Sequence, residues 1–151
     1  MISETVLVLA ESFGETVTAS RVAEAIGRGL EADGRLECDL CPLDTRSDRL
    51  AGEHPGEASK LLGELDFDRR MRAARAIVIA REQLDDRTLA GSVAFEAATR
   101  ARQGGVPAYA VAARNDLGLF EARIVDLQII LEASTPRALS AAGRKLAALV
   151  I

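Results

Sequence analysis

Along the chain, short unbroken apolar runs take turns with longer stretches in which apolar residues recur every three or four positions. Val6–Ala10 is such a run, stopped by Glu11-Ser12, as in a strand covered on both faces. Leu36–Cys41 is a second, stopped by Pro42; Ala76–Ala80 is a third and Pro107–Ala112 a fourth. Ile124–Leu131 is rich in β-branched residues and reads as a fifth. Between them lie helical patterns. Val22, Ala25, Ile26, Gly29 and Leu30 make one stripe, with Thr18 or Ser20 as the cap and Asp33-Gly34 as the stop. Leu61, Leu62 and Leu65 begin a helical stretch that reaches about Arg75 with an interruption near Asp66. A third helix is expected from a cap at Asp85 or Asp86 through Arg102 to Gly104-Gly105. The last has Ser134 or Thr135 as cap, Pro136 as first helical residue, and Leu139, Ala142, Leu146 and Leu149 on one face.

Strands separated by helices are βαβ units, and these close right-handed onto a parallel sheet. The expectation is therefore an α/β protein, a single three-layer Rossmann-like domain over residues 1–151 with a mostly parallel sheet of four or five strands. Its 151 residues are enough to bury a core without a metal or disulfide staple. No internal repeat or low-complexity segment divides them. The segment 44–57, polar and containing His54-Pro55-Gly56, reads as a loop.

Composition narrows the chemistry. A net charge of −4 and 3% aromatic residues disfavour a nucleic-acid partner. No apolar window approaches a membrane span, and no basic leader precedes Val6, so a cytoplasmic protein with no membrane partner is expected. The single histidine, His54, leaves little room for histidine-based catalysis or a multi-histidine metal site. Cys38 and Cys41 have redox-motif spacing but fall within a strand, where positions three apart face opposite sides, so packing is the expected role. Parallel α/β sheets bind ligands at the carboxyl ends of their strands, so segments 10–18, 42–49, 80–88 and 112–118 are the ones to search. The first carries Thr16 and Thr18 ahead of a helix N-terminus and could cradle an anion. It has no Walker lysine and no G-x-G-x-x-G, and no cofactor is expected; a flavodoxin-like phosphate loop, with Thr16 and Thr18 as hydroxyls before a helix, is the alternative. The others bring Arg46, Arg49, Arg81, Arg87 and Arg114 to one edge, interleaved with Asp44, Asp48, Asp85, Asp86 and Asp116. Arginine forks suit carboxylates and phosphates, which makes a small organic acid or phosphate the expected ligand, against a solvated face of mixed charge. The run Arg69–Arg75 pairs with Asp66 and Asp68 at helical spacing and reads as an exposed face. Gly91 in a helical stretch implies close packing or proximity to a ligand.

In three stretches the chain resembles the bacterial glycerate kinase family. Glu11-Ser12-Phe13, followed by Val22-Ala23-Glu24-Ala25-Ile26 and Gly29-Leu30, is similar to that family's opening loop and first helix. Pro42-Leu43 resembles the end of its second strand. Phe67-Asp68, Ala76–Ile79, then Asp85, Thr88, Leu89 and Gly91, with Gly105-Val106-Pro107 beyond, resemble its C-terminal helix, strand and glycine-rich segment. The resemblance spans residues 5–49 and 61–150 and implies a shortened homologue without the central domain. It implies Asp85 as the catalytic or metal-binding acid, and Glu11, Ser12, Thr88 and Gly91 beside Thr16, Arg81 and Arg87 in a ligand crevice. The departures are chemical: the family's lysine after Ser-Phe is Gly14, its glycine-rich loops become Thr45–Arg49 and Ala80–Gln83, and its second lysine becomes Ser92. Phosphoryl transfer depends on groups that hold the phosphates, and these positions no longer supply them. The expectation is a catalytically degenerate small-anion binding or regulatory domain. A minimal kinase using Arg46, Arg81 and Arg87 is one alternative, and a purely structural, self-associating protein is another. The apolar stretch Ala148–Ile151 and the missing domain point to a homodimer.

Overall fold

The computed structural model describes residues 4–43, 55–86 and 91–150. Five strands, β1 (Thr5–Ala10), β2 (Glu37–Pro42), β3 (Ala76–Leu84), β4 (Ala108–Asn115) and β5 (Leu127–Glu132), form one sheet in the order β2-β1-β3-β4-β5. Every neighbouring pair is parallel. This is the doubly wound 2-1-3-4-5 order of flavodoxin-like sheets, with its topological switch between β1 and β3. The expectation of a single Rossmann-like α/β domain holds, and the fifth strand is present.

Each face of the sheet carries helices because the central strands bury both sides. β1 is buried at every position from Val6 to Ala10, and β3 from Ala76 to Ala80. One face packs under α1 (Ala19–Leu30) and α6 (Pro136–Val150), which bury Val22, Ile26 and Leu30 against Leu139 and Leu146 over Val6, Val8 and Val78. The opposite face packs under α2 (Pro55–Glu64), α3 (Phe67–Arg72), α4 (Val93–Gln103) and α5 (Leu119–Val125), over Leu7, Leu9, Ile77 and Ile79. Strand positions odd and even therefore feed two separate cores, as the pleat requires.

Three of the helices, α1, α4 and α6, start on a side-chain cap. The Thr18 hydroxyl accepts the Arg21 N–H at 3.2 Å and starts α1. The Thr135 hydroxyl accepts the Ala138 N–H at 3.1 Å ahead of Pro136. For α4 the expected cap was wrong: Ser92, whose hydroxyl accepts the Phe95 N–H at 3.1 Å, caps it rather than Asp85 or Asp86. Gly91 is correspondingly not inside the helix; it lies in the preceding turn at φ +82°, a conformation that favours glycine. A second correction concerns 119–125. Ile124 is helical, because Leu119–Val125 forms α5 and β5 begins only at Leu127, after a left-handed Asp126 at φ +53°. The break near Asp66 is real: Asp66 sits at φ +57° between α2 and α3.

Edge strand β2 is clamped from the α3 side. The Arg70 guanidinium donates to Asp39 Oδ2 at 2.8 Å and Oδ1 at 2.6 Å, to the Leu40 and Leu65 carbonyls at 3.2 Å, and to Cys41 Sγ at 3.4 Å. Cys38 packs against the α1–α6 core and Cys41 against the other, so the two thiols face opposite sides of β2. Burial pushes the Cys38 thiol up to about 12, with the Glu31 carboxylate adding to it. Neither fact suits redox chemistry.

Candidate functional site

At the switch point the carboxyl ends of β1 and β3 lie side by side, and the ladder continues one step beyond β1 through Glu11 N–H to the Ala80 carbonyl at 2.9 Å. This brings the Glu11 and Arg81 side chains together. Arg81 Nη1 donates to Glu11 Oε1 at 3.1 Å and Oε2 at 3.0 Å, and Arg81 Nε to the Gln83 carbonyl at 3.2 Å. Each side chain is 23% exposed. Burial raises the Glu11 carboxyl above its ordinary value, and the Arg81 charge and hydrogen bonds offset only part of that effect.

A cleft of about 250 Å³ opens above this pair, lined by Glu11, Ser12, Arg81, Glu82, Gln83 and Asp85. Four of the expected site residues, Glu11, Ser12, Arg81 and Asp85, thus converge. Glu82 and Gln83 were not anticipated. They arrive because β3 does not stop at Ala80 but runs on to Leu84, pairing Gln83 with Arg114 and Leu84 with Asn115 of β4. The polar alternation of Arg81-Glu82-Gln83 before Leu84 is the signal that could have revealed it. Three carboxylates and one guanidinium line the cleft, and the guanidinium is already held by one of the carboxylates.

The remaining residues divide by position. Residues 13–17 form a tight turn closed by Phe13 N–H to the Val17 carbonyl at 2.9 Å, and Thr16 is exposed on it, outside the lining of the cleft. Gly14 at the turn's tip has φ +65°, and a Cβ there would meet Glu82 Oε2 at 3.2 Å. Glycine at position 14 therefore answers a backbone demand of this turn. Gly91 is near α4, not among the cleft residues. Arg87 and Thr88, like Arg46, Arg49, Asp44, Asp48 and His54, lie outside the described residues. Arg114 Nε contacts Asp116 Oδ2 at 2.8 Å, and Gln83 Nε2 donates to the same oxygen at 3.0 Å. That network borders a neighbouring hollow of about 280 Å³ that includes Phe13, Ala113 and Ser134. Among the described residues, no group of three or more His, Cys, Asp or Glu side chains is placed to hold a metal ion, and no helix is long and apolar enough to cross a membrane.

No protein-family profile and no curated protein matches the chain. Solved structures do. A putative pilus assembly-related protein from Burkholderia pseudomallei K96243 is similar with a TM-score of 0.54 at 21% identity, over 97% of this chain and 90% of that one. A putative hydrolase of the alpha/beta superfamily from Xanthomonas campestris pv. campestris is similar with a TM-score of 0.50 at 13% identity, over 96% of this chain and 98% of that one. Identities this low establish a shared α/β architecture and nothing about activity.

Proposed function

We propose that this chain is a non-catalytic α/β domain that works through protein contacts, its ligand crevice closed by an internal ion pair. The observation that carries this reading is the Glu11–Arg81 pair at the β1–β3 switch point. Where doubly wound folds place a phosphate or cofactor, this chain places its own carboxylate on its own guanidinium. An incoming anion would have to displace Glu11 and then approach Glu82 and Asp85, at a like-charge cost. Kinase chemistry relies on glycine-rich phosphate loops and a lysine for the transferring phosphoryl group, and removing one such charge-stabilising donor costs about 3–4 kcal/mol at a transition state. A descent from glycerate kinases is compatible with this reading, as a degenerate member. So is an assembly role of the kind the Burkholderia protein's description names. A cytoplasmic location fits both.

The exposed apolar side chains favour contact over catalysis. Leu119 is 89% exposed and Phe120 73%, adjacent on one short helix. Large apolar side chains concentrated in that way mark interfaces more often than they occur by chance. A coupled ADP-release assay with Mg²⁺, ATP and D-glycerate tests the reading. No turnover above background is expected; turnover abolished by Asp85→Asn would overturn it and establish a minimal kinase instead. Small-anion binding is the second reading, supported by Arg81 lining the cleft. If it holds, Glu11→Gln should tighten phosphate or glycerate binding in calorimetry by freeing that guanidinium.

A further inference from the structure

The two members of the Glu11–Arg81 pair are held unequally. Arg81 has a second anchor: its Nε donates to the Gln83 carbonyl at 3.2 Å, so the guanidinium keeps its place in the cleft lining without Glu11. The hydrogen bonds of the Glu11 carboxylate among the described residues are the two it accepts from Arg81 Nη1. The ionisable groups that share the cleft with it are Arg81 and Glu82 at the end of β3, and Asp85 just beyond. On its other side β2 ends in Pro42 and Leu43, which do not titrate. Glu15, on the turn that follows, is exposed and outside the lining; Arg114 and Asp116, farther along the edge, are paired with each other. Glu11 is therefore the one group in the lining whose loss of charge both frees the guanidinium and relieves the repulsion of an anion. Its burial works in the same direction, because a carboxylate withdrawn from water takes up a proton more readily than an exposed one.

Resting on the reading of this crevice as closed by its own ion pair, we propose that the closure is reversible: a proton on Glu11 opens the cleft to a small oxyanion, a carboxylate or phosphate, which replaces Glu11 on Arg81. The exchange balances. Glu11 takes a proton from solvent and becomes neutral, its ionic contact with Arg81 is lost, and the incoming anion supplies the oxygens to which Nη1 then donates. The guanidinium passes from one anionic partner to another, so it is not left half-buried and unpaired. Its fork suits carboxylate and phosphate oxygens alike. Glu82 and Asp85 oppose the same anion from across the cleft, but neither holds the guanidinium in the way Glu11 does. Because the binding-competent form is the protonated one, apparent affinity follows its fraction. Affinity therefore rises by up to about tenfold for each unit that pH falls toward the Glu11 value, and levels off below it.

Sulfate is the probe, because it keeps one charge state from neutrality down to pH 4.5, the ordinary glutamate value. Calorimetry in buffers of different ionisation enthalpy reads both its affinity and the protons taken up, and circular dichroism at each pH checks that the fold is kept. The wild-type chain is expected to bind sulfate more tightly as pH falls, by up to about tenfold per unit, with net proton uptake on binding. Glu11→Gln should bind more tightly than wild type at neutrality, with most of the pH dependence and of the proton uptake gone. Glu82→Gln combined with Asp85→Asn should keep both, and Arg81→Met should not bind at any pH. Wild-type affinity that does not rise in acid overturns the proposal. So does a rise of equal size in Glu11→Gln, one that the Glu82–Asp85 double variant loses, or binding that survives in Arg81→Met. Glu11→Gln also separates the gate from the closure it acts on. If that variant binds sulfate at neutrality while the wild type ignores acid, the pair closes the crevice but protonation does not open it. If the variant binds at no pH, the pair is not what closes the crevice, and both readings fall.

Discussion

A single carboxylate shows how burial and pairing compete in this protein. Glu11 gains the Arg81 charge and two hydrogen bonds, yet its proton affinity rises, because the cost of taking the carboxylate out of water is the largest contribution. A carboxyl whose folded-state value lies above its unfolded one binds its proton more tightly when folded. Its favourable contribution is present below the ordinary 4.5 and is lost as pH rises through the raised folded value. In this window stability should therefore fall with increasing pH on account of Glu11, opposite to the usual effect of a salt-bridged carboxylate. Chemical denaturation at a series of pH values, comparing wild type with Glu11→Gln, isolates it. The variant should be at least as stable as wild type near neutrality, with the advantage fading below the ordinary carboxylate value. A variant that is less stable near neutrality and equal in acid would mean that the pair is net stabilising and that burial is not the dominant effect.

At the scale of elements, the α1–α6 contact is set by glycine. A Cβ on Gly29 would lie 1.9 Å from the Ser140 carbonyl oxygen, and one on Gly143 would lie 2.2 Å from the Ile26 carbonyl oxygen. Each is a collision with the opposite helix backbone, which no rotamer relieves. Gly29→Ala and Gly143→Ala should each cost about 2–3 kcal/mol in urea denaturation, despite the better helix propensity of alanine. Gly63 in α2 is the control: nothing lies within 4 Å of a Cβ there, and Gly63→Ala should gain about 0.5–1 kcal/mol. Equal effects at the three sites would refute the close-packing account. Gly29 was visible in the sequence as part of the helical stripe, but its partner was not, since a helix–helix contact between residues more than a hundred positions apart leaves no periodic trace. The same distinction separates what was legible elsewhere. β1 and β3 are buried on both faces and announce themselves as apolar runs. The last residues of β3 are polar, so Glu82 and Gln83 were read as part of a loop beyond Ala80 and not counted among the site residues. The last two residues of α5, Ile124 and Val125, were read as the start of β5 because they are β-branched; the left-handed Asp126 that separates the two elements is invisible to such propensities. Glu11, Ser12, Arg81 and Asp85 were placed together by the rule that parallel sheets gather their loops at one edge. That Glu11 would be spent on Arg81 could not be read from spacing, because it depends on the register of β1 against β3.

Burial among the described residues is graded from the centre of the sheet to its β5 edge. β1 and β3 are enclosed by neighbours on both sides and by helices on both faces, and their amides point into ladders on either hand. β5 has one neighbour, its side chains are only partly covered, and α5 beside it buries Val125 while leaving Leu119, Phe120 and Ile124 in water. Local opening follows such differences, because a segment that buries little apolar area loses little by detaching. At β2, the opposite edge, Arg70 ties the strand to α3 through both Asp39 oxygens, so the two edges are not equivalent. Native-state hydrogen exchange should accordingly find β1 and β3 slowest, β2 intermediate, and α5 with the outer side of β5 fastest. Protection of α5 equal to that of β1 in dilute protein would mean that its exposed side chains do not report a loosely held element at all.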